Sequence, residues 1–236
     1  IIIIDSYEYV EALREIDHSA VVFIEVHTSI ERNLEYLSRL QVSDFDAFIT
    51  VSEYMKDRIR YHVGNEMNGK RIITIGNVLD STLFIPEKID TKGSPIVSWV
   101  GKIDDHKDWK AFINIASHIH KDNTEIEFWI IGGQTCPEEL AQNVFDLAEE
   151  VGIISRFKWI DRVETQKMGT LYSLIAARGG LSLVTSHCES FGMSILESLL
   201  AGCPVVSSEV GAISEITEPA PYLELYSRQN LEQAAT

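Results

Sequence analysis

Residues 181–207 read LSLVTSHCESFGMSILESLLAGCPVVS, and this stretch decides the fold. An apolar run ends at Thr185, a polar loop follows, and a helical segment begins at Met193. Gly202 and Pro204 end that segment and lead into a second β-branched run. A strand, a helix and a strand in this order predict two parallel strands joined by a crossover helix.

The same alternation continues in both directions along the chain. Apolar, β-branched runs predict strands at 1–4, 20–26, 47–51, 71–75, 96–100, 126–131, 157–160, 181–185 and 204–207. Helical spacing of apolar residues predicts helices at 7–16, 29–40, 52–60, 109–119, 140–151, 167–175 and 193–201. For the helix at 29–40 we expect Ser29 to be the N-cap. The pattern predicts an α/β protein with parallel sheets that carry helices on both faces.

Composition excludes several classes of protein. The chain has 236 residues, 45% of them hydrophobic, and 36 Asp and Glu against 20 Lys and Arg give a net charge of −16. This balance disfavours disorder and a nucleic-acid partner, and no apolar run approaches the roughly 20 residues of a membrane span. Cys136, Cys188 and Cys203 are widely spaced and match no zinc pattern, so we expect reduced thiols in a cytoplasmic protein.

Ligands of open α/β sheets bind beyond the carboxyl ends of the strands. The loop after Thr185 contains Glu189, and Glu197 follows eight positions later, ~12 Å along a helix axis. Two carboxylates so placed fit the two ends of an extended ligand, and the amides before the helix favour an anion. The alternative is that Glu189 is an ordinary acid at a helix start and Glu197 a solvated one.

The loop after Val100 contains two lysines, Lys102 and Lys107, between a buried strand and a helix. Two cations at this edge of a sheet would neutralise a diphosphate. The alternative is a solvated turn in which the lysines pair with nearby aspartates, and charge alone favours that alternative.

Several pieces of sequence occur in an order typical of one enzyme family. They are Val51-Ser52-Glu53, Gly76-Asn77-Val78-Leu79-Asp80, Val100-Gly101-Lys102 with Lys107, Ile130-Ile131-Gly132-Gly133, Glu189-Ser190-Phe191-Gly192 through Glu197, Ala201-Gly202-Cys203-Pro204-Val205-Val206, and Gly211 with Glu215-Ile216. On these pieces the chain resembles the retaining, nucleotide-sugar-dependent glycosyltransferases of family 4, which have the GT-B fold. The resemblance implies Rossmann-like domains, a partial amino-terminal one at 1–85 and a carboxyl-terminal, nucleotide-sugar-binding one at 86–236.

The resemblance also implies a role for each matching residue. Lys102 and Lys107 would bind the donor diphosphate, and Glu197 would bind the nucleotide ribose. Glu189 would contact hydroxyls of the donor sugar. The backbone of Ser190, Phe191 and Gly192 would assist Glu189, and His27 would lie near the same sugar. No metal or other cofactor is expected, and Asp44-Phe45-Asp46 is interpreted as a surface turn that only superficially matches a metal-binding DxD motif.

The chain departs from the family pattern in three respects. Lys102 stands where the family usually has Arg, and the family's paired glycine is Gly211-Ala212. About half of the amino-terminal domain is missing from the pattern. We therefore expect a fragment of a longer protein that, in isolation, binds donor poorly and turns over little.

Three functions remain open from the sequence. The first is sugar transfer from a nucleotide-diphosphate donor to an unidentified glycan, lipid or protein acceptor, with peripheral membrane association left open. The second is a non-catalytic GT-B subunit or partner protein, which Lys102 in place of Arg favours and an intact Glu189, Glu197 and Lys107 disfavour. The third is a sugar-nucleotide epimerase or a glycan phosphorylase of the same fold; a phosphorylase would need a pyridoxal-binding lysine, and none stands in a recognisable setting.

Overall fold

The computed structural model describes residues 1–16, 19–67, 69–216 and 221–235. These residues pack as two compact units. The first unit comprises Ile1–Val78, Cys188–Gly192 and 210–216, and the second comprises Leu79–His187, Met193–Glu209 and 221–235. The domain division after residue 85 stays a prediction, and it did not anticipate that two later segments pack with the amino-terminal residues.

The first unit contains a four-stranded parallel sheet in the order β1-β2-β3-β4. Its elements up to residue 78 are β1 (Ile2–Ile4), α1 (Tyr7–Arg14), β2 (Phe23–Val26), α2 (Glu31–Leu34), β3 (Ala47–Thr50), α3 (Glu53–His62) and β4 (Arg71–Thr74). Ile24 and Phe48 of the central strands and Met55 and Ile59 of α3 are fully buried and form its core. Because these strands are parallel, their carboxyl ends share one edge of the sheet.

The helix predicted over 29–40 is wrong in form. Only Glu31–Leu34 is α-helical, the N-cap is Ile30 rather than Ser29, and Glu35–Arg39 continues as a 3-10 helix. The buried residues Leu34, Leu37 and Leu40 explain the difference. A spacing of three matches the period of a 3-10 helix, which agrees with the tighter winding at Glu35–Arg39.

The second unit contains a six-stranded parallel sheet in the order β10-β9-β8-β5-β6-β7. The remaining elements are β5 (Ile96–Val100), α4 (Trp109–Asp122), β6 (Glu127–Ile131), α5 (Glu138–Glu150), β7 (Phe157–Ile160), α6 (Thr165–Ala177), β8 (Leu181–Val184), α7 (Met193–Leu200), β9 (Val205–Ser208), α8 (Ile213–Ile216) and β10 (Leu223–Tyr226), of which α8 lies in the first unit. Further 3-10 turns cover Val42–Asp44, Asn65–Met67, Ser81–Leu83, Ile154–Arg156 and Leu231–Ala235.

Both faces of the second sheet are covered. Phe128 and Trp129 are neighbours on β6, yet Phe128 packs into a core with Phe112 of α4, whereas Trp129 packs into a core with Tyr172 of α6. This is why the strands read as continuous apolar runs instead of alternating ones. The prediction of an α/β fold with Rossmann-like parallel sheets is confirmed, although β10 was not predicted.

The strand order reverses between β8 and β5, because β5 pairs with β6 on one side and with β8 on the other. A crevice forms at such a switch point, outside the carboxyl ends of the two strands. The loops after Val100 and after Val184 flank it. Within the described ranges, no helix is both long enough and apolar enough to cross a membrane.

Candidate functional site

The turn that contains Lys107 is fastened to the end of β8 by Thr185, whose side chain is fully buried. The Thr185 hydroxyl accepts a hydrogen bond from Trp99 Nε1 at 2.9 Å. It lies 2.9 Å from the Lys107 carbonyl oxygen and 2.8 Å from that of Asp108, to which it donates. One hydroxyl therefore joins strand β5, strand β8 and the lysine turn.

Asp108 shapes the same turn from its other end. Its backbone is left-handed, with φ +53°, a conformation that is uncommon outside glycine. One carboxylate oxygen caps α4 by accepting from Ala111 N at 3.1 Å, and the other pairs with Arg228 at 2.6 Å and His187 at 3.3 Å. The strained torsion thus persists because three partners hold the side chain.

The glycine pair after β6 lies directly beside this turn. Gly132 and Gly133 have φ of +111° and +82°. A Cβ at Gly132 would lie 2.5 Å from the Gly101 carbonyl oxygen, and one at Gly133 would lie 2.6 Å from Ile103. Only glycine allows the two loops to approach so closely.

The two lysines differ in their surroundings. Lys102 is exposed, whereas Lys107 is half-buried and its aliphatic stem lies over Gly101. The Lys107 amide donates to the Asp104 side chain at 2.8 Å, so Asp104 acts on the backbone of the turn. The predicted ligation of a diphosphate by these lysines stays a prediction.

Glu197 lies on α7 and is half-buried. Burial raises the pKa of its carboxyl above the ordinary value of 4.5, and a hydrogen bond from Tyr172 opposes that rise. The Tyr172 hydroxyl also lies 3.5 Å from the Ser194 carbonyl oxygen on the same helix. A carboxylate kept in a partly desolvated place fits a binding role better than the solvated position that the alternative interpretation required.

The loop that carries Glu189 packs within the first unit, although strand β8 before it and helix α7 after it belong to the second. Glu189 is 7% exposed and its carbonyl oxygen accepts from Ala212 N at 2.9 Å. The Ser190 carbonyl oxygen accepts from the Ser52 hydroxyl at 2.8 Å. A Cβ at Gly211, where φ is +60°, would lie 2.1 Å from the Glu189 carbonyl oxygen, so this position requires glycine.

Three more contacts hold this loop. The Phe191 ring lies against Gly76, where a Cβ would come within 3.1 Å of it. The Tyr54 hydroxyl lies 3.1 Å from the Cys188 sulfur. Gly192 has φ +86° and directly precedes α7, so the loop ends in a turn that only glycine adopts without strain.

His27 follows β2 in the first unit. Its Nε2 lies 2.8 Å from a Glu25 carboxylate oxygen, and its backbone amide lies 3.2 Å from both oxygens of Asp5. Burial raises the pKa of Asp5, and the amide hydrogen bond from His27 opposes the rise. A role for His27 near a donor sugar stays a prediction.

The Asp44-Phe45-Asp46 segment follows exposed residues of the 3-10 turn Val42–Asp44, and Asp46 is itself exposed, which agrees with its interpretation as a surface turn. Asp44 pairs with Arg14 at 2.6 Å, and its side chain is 2% exposed. Phe45 is buried, and Asp46 accepts from Val22 N at 2.7 Å. Within 1–16, 19–67, 69–216 and 221–235, no group of three His, Cys, Asp or Glu could hold a metal ion.

Sequence reasoning missed the residues that fasten the two loops. Thr185 and Tyr172 were assigned to a strand and a helix, and nothing in their spacing signals a bond to a loop. Glu215 was recognised only as part of a family pattern. The left-handed torsion at Asp108 had no sequence signal either, because glycine is the usual mark of that conformation.

Comparison with known proteins identifies the family. Residues 81–223 match the sequence profile described as "Glycosyl transferases group 1". The chain belongs to the group 1 glycosyl transferases. The matched range contains Lys102, Lys107, Glu189 and Glu197, and the recognition of a family 4 glycosyltransferase of GT-B type is confirmed.

Curated relatives of this group 1 glycosyl transferase are distant. The D-inositol 3-phosphate glycosyltransferase of Corynebacterium efficiens is 26% identical over 120 residues, which cover 50% of this chain and 27% of the relative. The sucrose synthase of Beta vulgaris is 21% identical over 190 residues, which cover 74% of this chain and 25% of the relative. The chain spans only about a quarter of the length of these two relatives.

Solved structures share the fold over most of the chain. Sucrose-phosphate synthase from Thermosynechococcus elongatus superposes with a TM-score of 0.77 at 18% identity, covering 95% of this chain and 59% of that one. Anabaena Alr3699/HepE, solved in complex with UDP and glucose, superposes with a TM-score of 0.70 at 17% identity, covering 91% of this chain and 61% of that one. At these identities the likeness establishes the fold alone.

Proposed function

We propose that the protein to which this chain belongs is a retaining glycosyltransferase that moves a sugar from a nucleoside-diphosphate sugar to a glycan, lipid or protein acceptor. The observation that carries the proposal is the family match over 81–223, which includes both lysines and both glutamates. The topological switch point beside Lys107 adds a physical reason, because ligands of such sheets bind there.

The charges in the second unit suit a departing diphosphate. Cleavage of the bond between sugar and phosphate leaves negative charge on the diphosphate, while the anomeric carbon becomes cationic. In our proposal Lys102 and Lys107 stabilise that negative charge, aided by the amides that open α7. Because the protein supplies these charges, we expect transfer to need no metal ion and to persist in EDTA.

The carboxylates would bind the two ends of the donor. Glu197 accepts hydrogen bonds from the ribose, and Glu189 accepts hydrogen bonds from hydroxyls of the sugar, helped by the backbone of Ser190, Phe191 and Gly192. His27 would lie near the same sugar. The three free cysteines support a reducing compartment, so we assign the activity to the cytoplasm.

A thermal-shift panel on the full-length protein tests donor binding. UDP, GDP and ADP and their glucose, N-acetylglucosamine and mannose conjugates are compared, with UDP sugars first because the HepE structure holds UDP and glucose. A donor at 100 times its Kd stabilises the folded state by about 2.7 kcal/mol, which a melting curve resolves. If every nucleotide leaves the melting temperature unchanged, the proposal fails.

Variants of the full-length protein test catalysis with the donor so identified. We expect Glu189→Ala and Lys107→Ala each to lower sugar transfer by roughly a hundredfold or more while the fold remains intact. Lys121→Ala, an exposed change at the end of α4, is the matched control and should transfer at the normal rate. Unchanged product formation in both active-site variants would leave the non-catalytic alternative.

A further inference from the structure

The amino-terminal end of helix α3 is capped by a side chain from far along the chain. Glu215 accepts from the backbone amide of Glu53 at 2.8 Å and from that of Tyr54 at 2.5 Å. The Ser52 hydroxyl accepts from the third amide, that of Met55, at 3.2 Å. Every amide in the first three positions of α3 therefore has a partner, and two of them bond to one carboxylate.

The segment that carries Glu215 also holds Glu189. Its residues Gly211 and Ala212 lie against the Glu189 backbone, and the Ala212 amide donates to the Glu189 carbonyl oxygen at 2.9 Å. The next carbonyl, that of Ser190, accepts from Ser52 at 2.8 Å. Two consecutive carbonyls of the loop are thus bound by groups whose own position depends on the end of α3.

The contact at Glu215 is suited to such a task. A carboxylate is stabilised at a helix N-terminus by the exposed amides and by the helix dipole. Glu215 itself is exposed, so it lies outside the apolar core and its loss leaves that core intact. The sequence pattern included both Ser52-Glu53 and Glu215 without giving either a role, and this contact supplies one.

We propose that Glu215 is a positioning residue for Glu189. Its carboxylate ties residues 211–215 to the start of α3, and that tie fixes the backbone from which the Glu189 side chain reaches the donor sugar. The inference rests on the proposed function, since it assumes that Glu189 contacts the sugar.

Loss of the contact between Glu215 and α3 should lower sugar transfer and leave nucleotide binding unchanged. The turn at Lys107 is held by Thr185 and Asp108, which belong to the second unit together with Glu197. A change at Glu215 leaves these contacts in place. Sugar transfer should therefore fall while affinity for the bare nucleoside diphosphate stays the same, a split that general destabilisation would not produce.

The experiment compares Glu215→Ala and Glu215→Gln in the full-length protein. Glu149→Gln, an exposed change on α5, is the matched control. The Kd for UDP, GDP and ADP is measured by calorimetry, and hydrolysis of the matching donor to free sugar and nucleoside diphosphate is measured without acceptor. Melting temperatures show that each variant is folded.

We expect Glu215→Ala to lower the turnover of the donor about tenfold or more, because a small misplacement of a reacting group has effects of that size. Glu215→Gln keeps one acceptor oxygen and should retain an intermediate rate. The Kd for the nucleoside diphosphate should change less than twofold in both variants.

Two results would overturn the inference. One is normal turnover by Glu215→Ala, and the other is a loss of nucleoside-diphosphate affinity as large as the loss of turnover. Failure of the proposed function looks different, because the unaltered protein itself would then neither bind a nucleoside diphosphate nor hydrolyse a donor.

Discussion

The turn that contains Lys107 and the loop that contains Glu189 follow two neighbouring strands of one sheet, β5 and β8. The lysine turn is fastened inside its own unit, by the buried Thr185 hydroxyl and by Asp108. The Glu189 loop leaves that unit and is fastened by Ser52, Gly76 and Ala212 of the first.

The difference separates two tasks. The groups that shape the lysine turn, and Lys102 and Lys107 themselves, all belong to the second unit. Glu189, which we propose binds the sugar, belongs to the first unit, where Ser52 and Ala212 bond to the backbone of its loop. Substitutions near the lysine turn should therefore weaken nucleoside-diphosphate binding, whereas substitutions near the Glu189 loop should lower turnover.

The largest effects should come from two glycines. Gly132→Ala places a Cβ 2.5 Å from the Gly101 carbonyl oxygen, and Gly211→Ala places one 2.1 Å from that of Glu189. Each should lower the free energy of unfolding by about 2–4 kcal/mol, measured in urea. Gly132→Ala should weaken nucleoside-diphosphate binding, whereas Gly211→Ala should spare that binding and lower turnover.

Gly152→Ala is the control for both. Gly152 also has a positive φ, +83°, but nothing lies within 4 Å of a Cβ placed there. Gly152→Ala should lower the free energy of unfolding by only about 1 kcal/mol, because it strains the backbone without creating a clash. Equal losses at Gly152 and at the two loop glycines would contradict the close approach described above.

Thr185→Val should have the next largest effect. Valine keeps the shape but leaves Trp99 Nε1 without its acceptor and removes the hydroxyl that lies 2.9 Å from the Lys107 carbonyl oxygen and 2.8 Å from that of Asp108. We expect a loss of about 2–3 kcal/mol in unfolding free energy and a weaker Kd for the nucleoside diphosphate. Thr185→Ser keeps the hydroxyl and should retain most of the unfolding free energy and of the nucleoside-diphosphate affinity. A normal Kd in Thr185→Val would contradict the role of Thr185 in holding the lysine turn.

Glu197→Gln should raise stability and weaken nucleotide binding. The folded state raises the pKa of Glu197, so it binds protons more tightly than the unfolded chain, and stability falls as pH rises from about 4.5 through the raised pKa. Glutamine removes that dependence, so the variant should melt at a higher temperature than the unaltered protein at pH 7 and at no higher temperature below pH 4.5. Melting curves across this range check the sign.

The smallest effect should come from Lys102→Arg, which introduces the residue that the family usually has. An arginine fork donates two parallel hydrogen bonds to a phosphate, which a lysine does not. Lys102 is exposed, so we expect the Kd for the nucleoside diphosphate to tighten only about two- to fivefold, measured by calorimetry. The same substitution should leave unfolding unchanged, and a weaker Kd would argue against Lys102 as a phosphate ligand.

The sequence predicted most strands and helices because hydrophobic period and burial agreed over most of the chain. It failed at 29–40, where Leu34, Leu37 and Leu40 are spaced for a 3-10 helix, and at β10, a short strand of alternating residues. Intrinsic propensity does not predict the helix type at 29–40 or the strand β10, because burial in the folded protein determines both.

The site was predicted in part. Lys102, Lys107, Glu189 and Glu197 follow from a motif pattern, because charge and loop position are visible in sequence. The contacts that hold these residues in place are not visible in sequence. Thr185, Glu215 and Tyr172 make hydrogen bonds to segments that are distant in the chain. Local spacing carries no information on such pairings.

The contact between Tyr54 and Cys188 makes the Glu189 loop observable without any substrate. The Cys188 thiol directly precedes Glu189 and is only partly exposed. An alkylating reagent such as iodoacetamide reaches the sulfur fastest when the loop has separated from α3, so the rate of labelling measures how often that separation occurs.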